Sequence, residues 1–209
     1  MRPLQTARLA LEPQVAAHAA AMFAVLADPA IYEYENAPPA SVEALQARYA
    51  FLEARRSPDG AQQWLNWVAR LRHDEKRVAR LRHDEERVAR PRHDEKRIAQ
   101  LEGPLIGYVQ ATVHADGHAG IAYEFASAFW HRGLASEAVQ AMIDELVARH
   151  GVQRLAAVLK ARNERSRRLL ERLGFMPANA EQLSAGRVAP DELLMQRDAT
   201  VTPRRKESA

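Results

Sequence analysis

From the N-terminus, Arg8 to Glu12 alternates apolar and polar positions, as a strand with one buried face does. Val15 to Ala27 is apolar enough to read as a helix, with Asp28-Pro29 as its stop. A second helix is predicted after Pro38-Pro39, with Ser41 as N-cap, Glu43 in the first turn and Leu45, Tyr49 and Leu52 on one face. Ser57-Pro58-Asp59-Gly60 ends it in a turn. Trp64 to Leu71 and Leu105 to Val113 are runs of strand-forming residues and predict an antiparallel pair. Gly120 to Phe125 and Arg154 to Lys160 predict two further strands, joined by a helix from Ala135 to His150. That helix aims Val139, Met142, Ile143 and Leu146 at a core and stops at Gly151, backed by Val152. Strand, helix and strand in so short a stretch imply a right-handed crossover between parallel strands. A last helix, Glu164 to Leu173, is introduced by Asn163 and closed by Gly174-Phe175, and Asp191 to Arg197 predicts a final strand.

Composition adds bounds to this pattern. The 209 residues, 47% apolar and 27% charged, suit one folded unit with a full core. The expected division is a single domain over residues 1–198 and a loose tail over residues 199–209. The absence of cysteine excludes disulfides, thiolate metal sites and a thiol nucleophile. No signal-peptide core stands at the N-terminus, and the longest apolar stretch is too short to span a bilayer, so the expected location is cytoplasmic, with no membrane partner.

The net charge of +3 is unevenly spread. Arg70 to Arg97 holds eleven basic and seven acidic residues, which leaves the rest near neutral and argues against a nucleic-acid binder. The cause is a tandem decamer, Val-Ala-Arg-Leu-Arg-His-Asp-Glu-Lys-Arg. It begins at Val68, Val78 and Val88, with Glu86 for the lysine and Pro91 for the leucine. In a helix each unit would turn its apolar pair by about −80°, so no single buried stripe results. His73, His83 and His93 would stand ~15 Å apart per unit, too far to share a metal, and no metal site is expected. The segment from about 70 to 100 reads as a solvated insertion at the tip of the predicted strand pair. A nucleic-acid or partner contact through its arginines is the alternative, against which the interspersed Asp and Glu and the lack of aromatics for base stacking count.

Candidate chemistry gathers at Trp130-His131-Arg132-Gly133-Leu134-Ala135-Ser136-Glu137-Ala138, where the long helix begins. A glycine there lets the backbone approach an anion, and the first helical turn supplies unpaired N–H groups aligned with the helix dipole. The stretch resembles the pyrophosphate loop of the GNAT acyltransferase superfamily in the W-x-R-G-x-A form of its RimJ/RimL-like branch. The similarity continues through Asn163-x-x-Ser166-x-x-Leu169 to Leu173-Gly174-Phe175, which resembles the second cofactor motif. It also takes in the N-terminal strand and helices, the Ile106-Gly107-Tyr108 strand and Asp191 to Met195, and leaves out the repeat and the tail. Trp130 stands where Gln or Arg is usual, His131 where this branch often has glycine, and Leu170 where many members have a thiolate-protonating tyrosine.

The resemblance implies an α/β (α+β) fold with a mixed, mainly antiparallel central sheet, flanking helices and one parallel β-α-β crossover. It implies an acetyl-CoA-dependent N-acetyltransferase acting by direct attack of an amine on the thioester. The pyrophosphate is expected on the amides around Arg132 to Ser136, with Trp130, His131, Arg132, Gly133, Leu134, Ala135 and Ser136 as cofactor-binding residues. The pantetheine arm is expected along strand Gly120 to Ala126 like an added strand, with Phe125, Ala126 and Asn163 also cofactor-binding. Two readings stand for Glu124: general base, or a side chain turned away because Tyr123 and Phe125 hold the opposite face. Ser166 is either the acid for the departing thiolate or a small helix-start residue. Tyr32, Glu33, Tyr34 and Glu35 are expected at the acceptor site or as loop charges. The expected partners are an amine-bearing small molecule or a protein N-terminus, with the chain a monomer or homodimer. Alternatives are another acyl donor or acceptor atom, or a non-catalytic CoA-binding or interaction protein using the repeat.

Overall fold

The computed structural model describes residues 1–34, 37–72, 103–179 and 188–199. Expectations for Glu35, for the repeat beyond Arg72 and for the tail from Thr200 lie outside them. The described residues form eight strands: β1 (Leu4–Gln5), β2 (Leu9–Pro13), β3 (Gln62–Leu71), β4 (Leu105–His114), β5 (His118–Phe125), β6 (Arg154–Lys160), β7 (Met176–Pro177) and β8 (Glu192–Asp198). They also form four α-helices: α1 (Ala19–Leu26), α2 (Val42–Leu52), α3 (Leu134–His150) and α4 (Glu164–Arg172). One sheet takes all eight strands in the order β1-β2-β3-β4-β5-β6-β8-β7. Only the β5/β6 pair is parallel, and α3 makes the connection between them.

Local chemistry explains where the elements begin. The segment from Val15 opens as a tight 3-10 turn, Ala16–His18, before α1 starts at Ala19, one turn later than the apolar run suggests. His18 turns back to cap it, its Nδ1 accepting the Val15 N–H at 3.1 Å while Nε2 lies 3.2 Å from the Glu12 carboxylate. The Ser41 hydroxyl accepts the Ala44 N–H and starts α2, whose Leu45 and Tyr49 are buried while Leu52 is partly exposed. Gly151, at φ +65°, stops α3. β5 begins at His118, two residues earlier than the pattern predicts, because Asp116 accepts the His118 N–H at 3.0 Å and Gly117 turns the chain at φ +81°. β1 and β7, two residues each, are too short for alternation to reveal.

The sheet divides two cores. On one face Trp67, Val109, Phe125, Leu155 and Met195 pack with Val139, Met142, Ile143 and Leu146 of α3 and Leu170 of α4. On the other, Val68 and Leu105 pack with Ala19, Met22 and Leu26 of α1 and Leu45 and Tyr49 of α2. β3 and β4 pair over nearly their whole length, from Gln62 with His114 to Arg70 with Leu105. The β4/β5 hairpin sets Tyr108 directly opposite Glu124 and Gly107 opposite Phe125. A methyl group on Gly107 would stand 2.3 Å from the Glu124 carbonyl oxygen and 2.7 Å from the Phe125 ring, so only glycine lets these strands close.

Candidate active site

The site forms where the sheet opens. Pairing between β5 and β6 covers only His118 to Gly120 against Arg154 to Ala156. Beyond Gly120 the two strands have no shared ladder. Ala126 donates its N–H to the Ile106 carbonyl at 3.0 Å, so by antiparallel alternation Tyr123 and Phe125 turn their main-chain groups away from β4 and into the opening. Across it, the Ala161 N–H donates to the Asp191 carbonyl at 2.9 Å, which by the same rule leaves Val158 and Lys160 facing the opening. Two strand edges whose main-chain groups belong to no ladder are suited to an extended, amide-bearing arm inserted between them. Ala126 itself has both main-chain groups engaged, its carbonyl accepting from Phe129.

At one end of the opening stands the loop before α3. Gly133 is the N-cap at φ +74° and no side chain caps the helix, so the N–H groups of its first turn are left to a ligand. His131 has φ +59°, a left-handed conformation that favours glycine over a residue with a side chain. His131, Arg132 and Gly133 are exposed, Ala135 and Ser136 half-buried, and Leu134 is anchored in the core. Arg8 buttresses the loop. It donates to the Arg132 carbonyl at 2.7 Å and pairs with Glu137 at 2.7 Å, and its Nη2 would lie 3.4 Å from a Cβ on Gly133. Thr6 and the Arg8 N–H also bond Glu137, and these contacts with the Arg8 charge hold its carboxyl below the usual range despite the opposing effect of burial, the largest influence on it. The Arg8–Glu137 pair therefore leaves no net negative charge beside the loop, and the open N–H groups of the first turn suit an anionic head group.

A cavity of about 620 Å³ joins the opening to the α1–α2 face of the sheet. Tyr123 and Phe125 do occupy the α3 face, yet Glu124 is not turned away from the site: it lines the cavity with Tyr32, Arg48, Tyr49 and Tyr108. Burial and then the Glu124 carboxylate, which also hydrogen-bonds with it, push the Tyr108 phenol well above its ordinary range. Burial, followed by the Glu124 charge, pushes Tyr32 up to about 12, and Tyr32 donates its hydroxyl to the Leu26 carbonyl at 2.8 Å. Asn163 caps α4 through Oδ1, accepting the Ser166 N–H at 3.1 Å, and both residues line the cavity. The Tyr123 hydroxyl donates to the Ser166 carbonyl at 3.4 Å, and burial pushes that phenol up to about 12. Leu170 lies in the core.

Trp130 donates its indole N–H to the Phe125 carbonyl at 2.7 Å, and Arg165 of α4 stacks on its ring. Glu33 pairs with Arg165 at 3.8 Å, and Tyr34 lies under Arg162 and Arg165, so the turn carrying Tyr32, Glu33 and Tyr34 is drawn over the opening. Asp28 fixes that turn from below, accepting the Ala30 N–H at 3.0 Å and the Ser127 N–H at 2.6 Å. Sequence reasoning missed Arg8, Arg48, Tyr49, Tyr108, Tyr123 and Arg165. The signal that could have found Tyr108 is Asp116-Gly117, a hairpin turn from which Tyr108 and Glu124 are nearly equidistant. Among the described residues no group of three or more His, Asp or Glu side chains is placed to hold a metal, and no helix is long and apolar enough to cross a membrane.

A sheet split beside an uncapped helix N-terminus, with a carboxylate on the cavity wall, is the geometry suited to an anionic, amide-bearing acyl carrier. Residues 8–176 match the family model for the acetyltransferase (GNAT) domain, and the chain belongs to that family. It is an acetyl-CoA-dependent N-acetyltransferase, with acetyl-CoA as co-substrate. No curated protein sequence matches the chain. Among solved structures it is similar to RimL, the ribosomal L7/L12 alpha-N-protein acetyltransferase, in complex with coenzyme A, at 14% identity and a TM-score of 0.67, covering 94% of this chain and 97% of that one. It is also similar to the ribosomal-protein-S5-alanine acetyltransferase from Vibrio fischeri, at 16% identity and a TM-score of 0.65 over 95% and 97% of the two chains. A third likeness is the microcin C7 self-immunity acetyltransferase MccE with acetyl-CoA and AMP, at 14% identity and a TM-score of 0.62 over 92% and 93%. At such identities the likeness is one of fold.

Proposed function

We propose that this acetyltransferase uses Glu124 as general base and Ser166 as general acid, with the acetyl carrier held between β5 and β6. The observation that carries the reading is the place of Glu124, opposite Tyr108 on the wall of a cavity that runs into the split sheet. An amine must be neutral to attack a thioester, and Glu124 takes its proton, directly or through water. The Phe125 N–H, turned into the opening, donates to the oxyanion as the carbon–nitrogen bond forms. Ser166 returns a proton to the sulfur as the carbon–sulfur bond breaks, with the Tyr123 hydroxyl held against the same helical turn.

The phosphate groups of the carrier rest on Trp130, His131, Arg132, Gly133, Leu134, Ala135 and Ser136, with Arg8 behind them. Phe125 and Ala126 flank the pantetheine arm, and Asn163 holds the turn that presents Ser166. Tyr32, Glu33 and Tyr34 wall the acceptor side. The acceptor is a primary amine on a small molecule or a protein N-terminus. One domain spans residues 1–198, interrupted by the charged repeat, and works in the cytoplasm, where acetyl-CoA and amine acceptors meet. Thiol release from acetyl-CoA, measured against a broad amine panel, tests the assignment. Wild-type protein should release thiol with at least one amine, and Ser166→Ala should lower turnover with little change in acceptor KM. Unchanged turnover in Ser166→Ala would remove the acid role, and thiol release with no amine would leave a non-catalytic CoA-binding protein.

A further inference from the structure

We propose that the acceptor pocket is built for a small zwitterion, a molecule carrying both its reactive amine and a carboxylate, with the amine at Glu124 and the carboxylate at Arg48, the Tyr49 hydroxyl and the Gln14 amide. The inference rests on the acetyltransferase reading above and adds the chemical class of the acceptor.

Unpaired donors point to it first. Gln14 is 3% exposed and Tyr49 4% exposed, yet Gln14 Nε2 and the Tyr49 hydroxyl have no hydrogen-bond partner. Both residues line the cavity that Glu124 lines. Buried polar groups in folded proteins are nearly always paired, so two orphans in one cavity mark places where a ligand completes the bonding. The sheet extends the same chemistry. The Gln14 N–H donates to the Asn66 carbonyl at 2.9 Å, and Asn66 stands opposite Gln110 across β3 and β4. Three carboxamides thus cross neighbouring strands on the face that holds Tyr108, and Asn66 Nδ2 is also buried and unpartnered.

Charge supplies the second argument. Arg48 precedes Tyr49 on α2, is solvent-exposed where it lines the cavity, and makes no ion pair or hydrogen bond among the described residues. Its positive charge and the negative charge of Glu124 both act on Tyr32, Tyr49 and Tyr108, so the two poles share one pocket. The other cavity-lining arginine, Arg165, is already paired with Glu33 and stacked on Trp130. A single guanidinium backed by neutral donors matches a monoanion, and a carboxylate fits its forked donors and leaves lone pairs for Tyr49 and Gln14. A peptide N-terminus would put a neutral carbonyl in that place, a weaker partner for a guanidinium than a carboxylate.

The test uses the full chain, acetyl-CoA and thiol release. The acceptors are free amino acids with one to three carbons between amine and carboxylate, the matching carboxamides, and an unblocked tetrapeptide amide. The best free amino acid should exceed its own carboxamide at least tenfold in kcat/KM, chiefly through KM. Arg48→Met should erase that preference by slowing the free amino acid, and Tyr49→Phe should reduce it several-fold. Both variants should keep the thermal shift given by acetyl-CoA, which shows that they are folded and loaded. Equal or better rates with the carboxamides or the tetrapeptide, or a preference that survives Arg48→Met, would overturn the inference alone. Thiol release with no amine at all would overturn the acetyltransferase reading and this inference with it.

Discussion

The Arg165 guanidinium lies 3.4 Å from the centre of the Trp130 ring. A cation from the first turn of α4 is therefore stacked on the residue that opens the loop before α3, and the stack bridges the two sides of the split sheet. This gives a physical account of a tryptophan in that position: its indole N–H is fixed to the Phe125 carbonyl, and its face holds the Arg165 charge beside the loop. A partly desolvated cation–π contact is worth ~0.5–2 kcal/mol. Arg165→Met should therefore raise the KM for acetyl-CoA several-fold while kcat changes little. Steady-state kinetics at saturating amine would show this, and an unchanged KM would make the stack purely structural.

The loop itself yields a sharper expectation. Acetyl-CoA at 100 times its dissociation constant should stabilise the protein by ~2.7 kcal/mol. Gly133→Asp should abolish that gain, since Gly133 sits at φ +74° with the Arg8 guanidinium 3.4 Å from any Cβ placed there. The new carboxylate would both repel phosphate and claim Arg8. Thermal melts with and without acetyl-CoA decide it, and a full shift in a folded variant would sink the loop assignment.

Glu124→Gln keeps an acceptor for Tyr108 and removes the base. The rate should fall most at low pH, where the amine is protonated, and recover partly as rising pH supplies neutral amine. Acetyl-CoA affinity should hold. A pH profile parallel to that of the wild type would place proton removal elsewhere.

Much of this arrangement was legible in the sequence because its signals are local. Gly133 before an apolar-periodic helix, Asn163 as a cap and the strand pair flanking the repeat follow from neighbours within a few residues, and the structure has each in its expected place. What escaped depends on register. Tyr108 meets Glu124 because β4 and β5 pair about a turn at Asp116-Gly117, and Gln14 meets Asn66 because the chain keeps to the edge of β3 for one residue after β2 ends at Pro13. Arg8 reads as a polar position of a strand, and nothing within its own stretch announces Glu137, which is 129 positions away. Trp130 was legible as a loop residue and its stacking on Arg165 was not, since that contact exists only after α4 has packed.

Acid stability should report the cluster at the start of α1. The Glu12 carboxyl is lowered to about 2, first by its bond with His18, against a smaller cost of burial, and then by Arg70. A depressed carboxyl stabilises the fold above its unfolded pKa, near 4.5, and that contribution disappears as pH falls through about 2. Glu12→Gln should therefore lower stability at pH 6 and flatten the loss between pH 4.5 and 2. Denaturant midpoints across that window check the sign, and a slope identical to the wild type would remove Glu12 from the account.

The last expectation concerns the decamer. The chain leaves β3 and re-enters β4 through contacts that close before the second copy begins: the Leu71 N–H donates to the Pro104 carbonyl at 3.0 Å, Arg70 donates to the Gly103 carbonyl at 3.1 Å, and the Arg72 N–H reaches the Arg8 carbonyl at 2.8 Å. Deleting Val78 to Arg87 preserves the sequence at the join, because Arg77 is then followed by Val88 as it was by Val78. Loop-closure entropy changes slowly with length, so the shortened protein should fold, bind acetyl-CoA and acetylate its acceptor about as before. A melting temperature lower by several degrees would show that the unit contributes packing. Retained amine acetylation with weaker, less salt-dependent binding to a polyanion such as heparin would show that the unit is an interaction surface. Loss of folding would show that the domain depends on the extra copies, against the closure seen at Leu71 and Pro104.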